Sequence, residues 1–402
     1  MSGTSWPEAR RIARAAAGAL PPVDAPLAEA LGAALAAPLV ALAALPSYDA
    51  AAMDGYAVAG AGPWRIVGRV LAGDPVPTEP LRPGQAVEIA TGAPVPPAAD
   101  AVLPYERTLS ANGTISGYVE PGRHIRRRGE DCPAGREVLP AGTVVTPTVL
   151  GLAASLGHDW LAVHRRPRVG VVVTGTELLT EGLPAPGRVR DAIGPILPGL
   201  LQVAGAELAW TTRLIDDPEA MVEALRRPGV EVVVVCGATS AGSADHLRGA
   251  LDTLGARVPV HGVQCRPGHP QLFAALPDGR FVVGLPGNPY AALVAAVTLL
   301  EPLLGRLSGR RDRPPVTARL AGSVAAHERY TRLVPVTRAG SAAVPVGHDR
   351  PASLWGAACA DALAVVPPGW TGAEVELLAL PAAGATPVPH LAELGGEAGR
   401  AA

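Results

Sequence analysis

The sequence predicts a multidomain α/β protein. Its parts are a doubly wound α/β domain, a small inserted β-rich domain, an N-terminal helical, elongated domain and a C-terminal β-barrel or sandwich. Three observations carry that expectation. Between Val169 and Tyr290 a β-branched run stops three times at a Gly-rich loop, and the pattern then turns helical. The runs are Val169–Val173 into Thr174-Gly175-Thr176-Glu177, Val232–Val235 into Cys236-Gly237-Ala238, and Phe281–Val283 into Gly284-Leu285-Pro286-Gly287-Asn288-Pro289. Continuous apolar strands are what a parallel sheet covered on both faces requires. Ahead of this region short apolar runs are punctuated by Gly and Pro, and behind it short alternating runs return.

Taken in order, residues 5 to 45 are rich in Ala and Leu and read as one or two amphipathic helices. From Pro46 to Glu137, runs such as Trp64 to Val70 and Ala86 to Ile89 read as strands of a small β domain. Residues 140 to 166 return to a helical pattern, with Pro147 in the first turn and Gly157 near the end. The β piece is therefore expected as an insertion. The boundaries that follow are 1–47 with 138–166 for a discontinuous N-terminal domain, 48–137 for the inserted domain and 167–312 for the α/β domain. Residues 313–382, with runs such as Leu333 to Val336 and Glu374 to Leu380, form the C-terminal β unit, and 383–402 a loose tail.

Composition narrows the function. Hydrophobic residues make up 48% and charged residues 17%, which suits a globular protein of several cores. A net charge of -2 gives no general attraction to nucleic acid or to an anionic membrane, and 3% aromatics leave little for base stacking. The chain has no lysine, so all 34 basic residues are arginine. Any anion affinity must be local and must use guanidinium groups, which keep the charge and add a planar fork. Cys132, Cys236, Cys265 and Cys359 are far apart, the pattern of a reducing cytoplasm rather than a disulfide framework or a zinc site. Ser5 to Ala19 carries Arg10, Arg11 and Arg14 and lacks the apolar core of a signal peptide. Leu27 to Leu45 is broken by Glu29, Gly32 and Pro38, so no membrane span is expected there.

Loops at the carboxyl ends of parallel strands are where open α/β sheets bind ligands. Glycines let backbone N–H groups approach an anion, and the N-terminus of a following helix favours negative charge. The three loops thus point to a phosphate-bearing small molecule.

Six stretches, two of them at the loops already described, narrow the identity. They are Pro46-Ser47-Tyr48-Asp49 with Ala52-Met53-Asp54-Gly55-Tyr56-Ala57-Val58, then Ile89-Ala90-Thr91-Gly92-Ala93-Pro94-Val95-Pro96, then Ile125-Arg126-Arg127-Arg128-Gly129-Glu130-Asp131. Thr174-Gly175-Thr176-Glu177-Leu178, Pro267-Gly268-His269-Pro270 and Gly284-Leu285-Pro286-Gly287-Asn288-Pro289 follow. In this order and spacing the chain resembles the molybdopterin molybdenumtransferase family, which includes the gephyrin E domain, over roughly residues 5 to 380. The resemblance implies an elongated homodimer of four-domain subunits with a molybdopterin-binding α/β domain and a C-terminal β-barrel. It implies insertion of molybdate into adenylated molybdopterin, with Mg2+ and release of AMP. The cleft it implies lies between the α/β domain of one subunit and the small domain of the other. Molybdopterin adenylyltransferase and molybdoenzymes are the further partners it implies.

Each candidate residue has a functional and a plain alternative. Gly287, Asn288 and Pro289 offer a phosphate or pterin loop, or a simple strand-to-helix turn. Gly175, Gly237 and Ser240 belong to the other two loops. Arg266 stands where the family commonly has Lys, so it suits a phosphate anchor; His269 beside it is a candidate ligand or an exposed turn residue. Asp245 matches the family's acidic residue at the nucleotide–metal site, or caps a helix. Asp191 is a second candidate metal ligand by the same resemblance. Glu177 suits either catalysis or a helix start. Asp54, Thr91, Arg126 and Asp131 match the family's cross-subunit cleft, where Arg126 would meet an oxyanion; the alternative for Arg126 to Arg128 is a solvated charged run. Arg332 matches a basic residue near bound molybdate, or is an exposed strand arginine.

The chain departs from the family in places. The family's Asp-Ser-Asn reads Asp191-Ala192-Ile193, its Gly-Gly-Val-Ser reads Gly237-Ala238-Thr239-Ser240, and a usual serine pair reads Trp355-Gly356. A methyl at Ala238 matters where close ligand approach or positive φ is needed. The expectation is therefore a transferase. A non-catalytic molybdopterin-binding carrier or regulator is the first alternative, and a generic nucleotide-binding module the second.

Overall fold

The computed structural model describes residues 3–237, 246–312 and 314–380. Ala238, Ser240 and Asp245 lie outside the described residues. The α/β sheet has six strands in the order Glu207–Leu214, Arg168–Thr174, Val232–Cys236, Phe281–Leu285, Leu272–Ala275, Arg257–His261. The first four are parallel and the last two antiparallel. The strand period of two splits each run between two layers. Val169, Val171, Val173, Val232, Val234, Val283 and Leu285 face one core, while Val172, Val233, Val235 and Val282 face the other. Helices Leu197–Val203 and Pro289–Leu307 cover the first face, and helices Pro218–Arg226 and His246–Thr253 cover the second. The run of central valines is fully apolar because both of its faces are buried.

The helix over Pro289–Leu307 is apolar and long enough to cross a membrane, but 83% of its apolar window is buried in this core. Helix Trp6–Ala15 lies against it. Trp6, Ala9 and Ala13 are in the same core, and the Trp6 indole N–H donates to Thr298 Oγ1 at 3.1 Å.

Residues 5 to 45 are less helical than their Ala and Leu content suggests. After Trp6–Ala15 only Leu27–Ala30 is α-helical, and strands occupy Pro22–Pro26 and Leu39–Val40. Pro21, Pro22, Pro26 and Pro38 remove amide donors that a longer helix needs. These strands pair with Trp160–His164 and Glu137–Leu139, so two distant chain segments share a core that includes Leu35, Leu39, Val149, Leu156 and Leu161. Between those segments a six-stranded sheet is built from Gly55–Val58, Trp64–Val70, Gln85–Ile89, Ala101–Pro104, Thr108–Ala111 and Thr114–Gly117.

At the C-terminal end, Thr331–Ala339, Ala342–Pro345, Val316–Leu320, Glu374–Ala379 and Ala362–Val366 pair in that order. The last pairs back with the first, closing a five-stranded barrel. One strand leaves the α/β domain to join it. Val263–Arg266 runs parallel to the start of Thr331–Ala339, with Cys265 opposite Thr331 and Arg266 opposite Arg332.

Candidate active site

The three Gly-rich loops end neighbouring strands of one sheet, so their backbones meet. Gly237 donates its amide to Leu285 O at 3.1 Å, and its φ of +99° is a conformation that favours glycine. A Cβ there would stand 2.6 Å from Thr174 O, while a Cβ on Gly287 would stand 3.7 Å from the Gly237 Cα. Thr174, Gly237 and Gly287 thus form one backbone rim that side chains would fill.

The loop after Thr174 does not lead into a helix. It turns at Gly175 and enters the short strand Leu178–Leu179, which pairs in parallel with Val189–Arg190; the helix starts only at Leu197. Glu177 therefore opens no helix. Its exposed carboxylate lies over Gly175, within 2.8 Å of where a Cβ would sit. Asp216, which carries no sequence signature of its own, holds this loop. It accepts from Thr174 Oγ1 at 3.1 Å and from the Thr176 hydroxyl and amide at 2.8 and 3.4 Å. Partial burial disfavours its charge, but the Thr176 and Thr174 donors, with His246 nearby, bring its pKa below the ordinary value.

Asp191 is buried and engaged on both oxygens. Oδ1 accepts from the Ile193 and Gly194 amides at 3.0 and 2.8 Å, and Oδ2 pairs with Arg213 at 2.7 Å. That arrangement braces the loop, and a metal at Asp191 would have to compete with it. Ile193 packs into the core, so its apolar side chain does not line the loops.

The third loop leads directly into the helix that starts at Pro289. Asn288 occupies the N-cap without a side-chain cap bond. The next amides do not face an open anion site. Tyr290 N and Ala291 N donate to Pro351 O of the barrel at 2.9 and 3.3 Å, and the Tyr290 hydroxyl donates to Leu333 O at 2.6 Å. Any anion must therefore be met by the loop ahead of Pro289 and by nearby cations.

Those cations stand where the α/β domain joins the barrel. Arg266 is exposed and lies over the Tyr330 ring, 5.0 Å from its centroid, in register with Arg332 on the next strand. Arg332 pairs with Asp349 and donates from Nη1 to Ala325 O at 2.5 Å. His269 Nδ1 lies 2.7 Å from Val263 O, and the rings of His269 and His327 stand edge-on to Tyr330. The backbone of this loop packs on the helix, since a Cβ on Gly268 would stand 3.1 Å from Ala291 O. Trp355 is 47% exposed and stands edge-on to His348. Tyr330 adjoins the Arg332 stretch, but Asp349 belongs to no sequence motif; its pair with Arg332 is what brings it in.

Asp54, Thr91 and Arg126 meet around the short strand Ala50–Ala51. Ala51 exchanges backbone bonds with Gly92 and Ala93, and Ala50 is opposite Arg126. Asp54 Oδ1 accepts the Thr91 amide at 2.6 Å and the Thr91 hydroxyl at 2.9 Å, which lower its pKa in that order. Arg126 pairs with Asp131 and, at 3.6 Å, with Glu130. Arg127 pairs with Asp49 at 2.7 Å, and both line a cavity of about 440 Å³ with Tyr48 and Arg128. Among the described residues, no hydrogen bond or ion pair joins residues 47–134 to the α/β domain or the barrel.

Residues 4–157 match the family model of the MoeA N-terminal region (domain I and II), and residues 170–306 match that of a probable molybdopterin binding domain. The molybdopterin molybdenumtransferase of Synechococcus elongatus is 37% identical over 281 residues, covering 66% of this chain and 69% of that protein. Molybdopterin molybdenumtransferase 2 of Mycobacterium tuberculosis is 35% identical over 339 residues, covering 79% and 83%. This chain belongs to the molybdopterin molybdenumtransferase family. The architecture agrees: a molybdopterin biosynthesis MoeA protein from Pyrococcus horikosii superposes with a TM-score of 0.75 at 28% identity, over 94% of this chain and 99% of that one. The family's multidomain fold, with its α/β domain and closed barrel, is thus the frame in which both polar clusters sit.

Proposed function

We propose that this chain inserts molybdate into adenylated molybdopterin and releases AMP, in the cytoplasm, as a Mg2+-dependent homodimer. The observation that carries the reading is the strand Val263–Arg266, which sets Arg266 beside Arg332 where the α/β domain meets the barrel. Phosphate and molybdate are both oxyanions, and a guanidinium pair at this place suits either. The rim of Thr174, Gly237 and Gly287 would hold the pterin phosphate end by backbone, and Arg266 would anchor its charge. Among the described residues the second cluster, Asp54, Thr91, Arg126 and Asp131, forms no bond to the first, which supports a cleft completed by a second copy.

The donor set suits Mg2+ only as a shared site. Among the described residues no three or more His, Cys, Asp and Glu side chains cluster to hold a metal. Glu177, exposed beside Gly175, could supply one carboxylate, and Asp245 is the other candidate; the remaining ligands would be phosphate oxygens and water. When bound, the ion would neutralise phosphate charge and ease AMP departure.

A second reading, a molybdopterin-binding carrier without turnover, is favoured by Trp355, which puts an indole where the family has a serine. One assay separates them. Incubation with adenylated molybdopterin, molybdate and Mg2+ should yield AMP and active cofactor. Tight pterin binding without AMP would sink the transferase reading.

A further inference from the structure

Both terminal nitrogens of Arg332 are already engaged, one with Asp349 and one with Ala325 O. The pair is partly sheltered, with side-chain exposures of 24% and 32%, so salt screens it less than an open surface pair. Arg266, its neighbour in register, forms no ion pair among the described residues and has the Tyr330 face instead. Asp349 is thus the carboxylate that an ion pair brings to Arg332, at a junction that also holds Arg266, His269 and His327. It is also firmly placed. His348 Nδ1 accepts the Arg350 amide at 3.4 Å, and Pro351 O accepts two amides from the helix that begins at Pro289.

We infer that Asp349 is a built-in counter-ion that competes with an incoming oxyanion for Arg332 and so sets the affinity and charge selectivity of this junction. The inference rests on the transferase reading for Arg332 as an oxyanion ligand. An anion reaching Arg332 must take the place of the carboxylate and tolerate its charge nearby. Arg266 and Arg332 together outweigh the one carboxylate, so the net Coulomb attraction still grows with the anion's charge and favours a dianion such as molybdate over a monoanion. Weak binding of monoanions by the native chain follows, with Arg266 as the first contact.

The test uses the full chain with Asp349→Asn and, as a second variant with a different amide reach, Asp349→Gln. Titration with molybdate, sulfate and nitrate is followed by calorimetry, and the molybdate KM is measured alongside kcat. Either folded variant should bind molybdate about tenfold more tightly, as release of one charge-assisted partner implies. KM should fall more than kcat changes, nitrate should begin to compete, and the gain should vanish in Asp349→Asn with Arg332→Ala. A lowered melting temperature with unchanged or weaker molybdate binding makes Asp349 a mere brace and overturns the inference. If neither wild type nor variant releases AMP while the variants still gain molybdate affinity, turnover fails, but Arg332 as an oxyanion ligand and Asp349 as its counter-ion stand.

Discussion

In the inserted domain, Arg126 has Asp131 and Glu130, and Arg127 has Asp49. At the junction of the α/β domain and barrel, Arg332 has Asp349, while Arg266, among the described residues, has the face of an aromatic ring and no ion pair. In the first cluster Arg126 and Arg127 are paired within their own strands and turns. The second, among the described residues, keeps a positive charge with no ion pair where the α/β domain meets the barrel. A paired cluster can position groups for a reaction, but it draws no anion until something disturbs its pairs. An unpaired guanidinium in a chain of net charge -2 is a local receptor from the outset. In the proposed cleft the two halves would therefore play different roles, one capturing and the other waiting to be presented.

Arg266→Ala is the strongest way to break that contrast. Loss of a charge-assisted contact should weaken binding of a pterin phosphate or molybdate by about 1.5–3 kcal/mol, roughly 10- to 100-fold. The melting temperature should hardly move, because the side chain is exposed. Calorimetry with adenylated molybdopterin checks it; unchanged affinity would remove Arg266 from the site.

Arg126→Ala should do less. The guanidinium is 47% exposed and exposed pairs are worth about 0–1 kcal/mol, so stability should change by no more than that. Transfer activity should fall about fivefold if Arg126 meets an oxyanion only through a second subunit. Steady-state rates with binding measured in parallel decide this, since pterin affinity should stay constant. A fall in pterin affinity equal to that of Arg266→Ala would erase the difference between the clusters.

Much of the fold is legible in the sequence, and the parts that are not have physical causes. Valine runs such as Val232–Val235 announce a doubly covered strand because burial on both faces leaves no alternation to misread. Pro147 and Pro289 stand where helices begin, since a proline there loses no needed donor. Glu177 misleads because a Gly-rich turn reads alike before a helix and before a strand. The stretch after Ala15 misleads because Ala and Leu suit helices while its prolines deny them. Asp54, Thr91 and Arg126 stand out by their motifs, and the structure joins them through one short strand. Asp349 is invisible in the sequence, because no local pattern encodes its pair with Arg332, nor the pairing of residues 263–266 with a strand that begins at Thr331.

The smallest effect concerns Asp54, and it probes how far the inserted cluster is satisfied by itself. The Thr91 amide, then the Thr91 hydroxyl, hold its carboxyl below the ordinary 3.8. A depressed folded pKa contributes stability that is fully present above the unfolded value and is lost as pH falls through the folded one. The window therefore lies below pH 3.8, well clear of neutral conditions. Thr91→Val removes the hydroxyl and keeps the amide. The Asp54 titration, followed by carboxyl NMR on aspartate-labelled protein, should rise toward the ordinary value without reaching it. Activity near neutral pH should change only through geometry, because Asp54 stays ionised in both proteins. A titration that does not move would mean the amide alone sets the charge of Asp54, with the hydroxyl left free to meet a ligand from across the cleft.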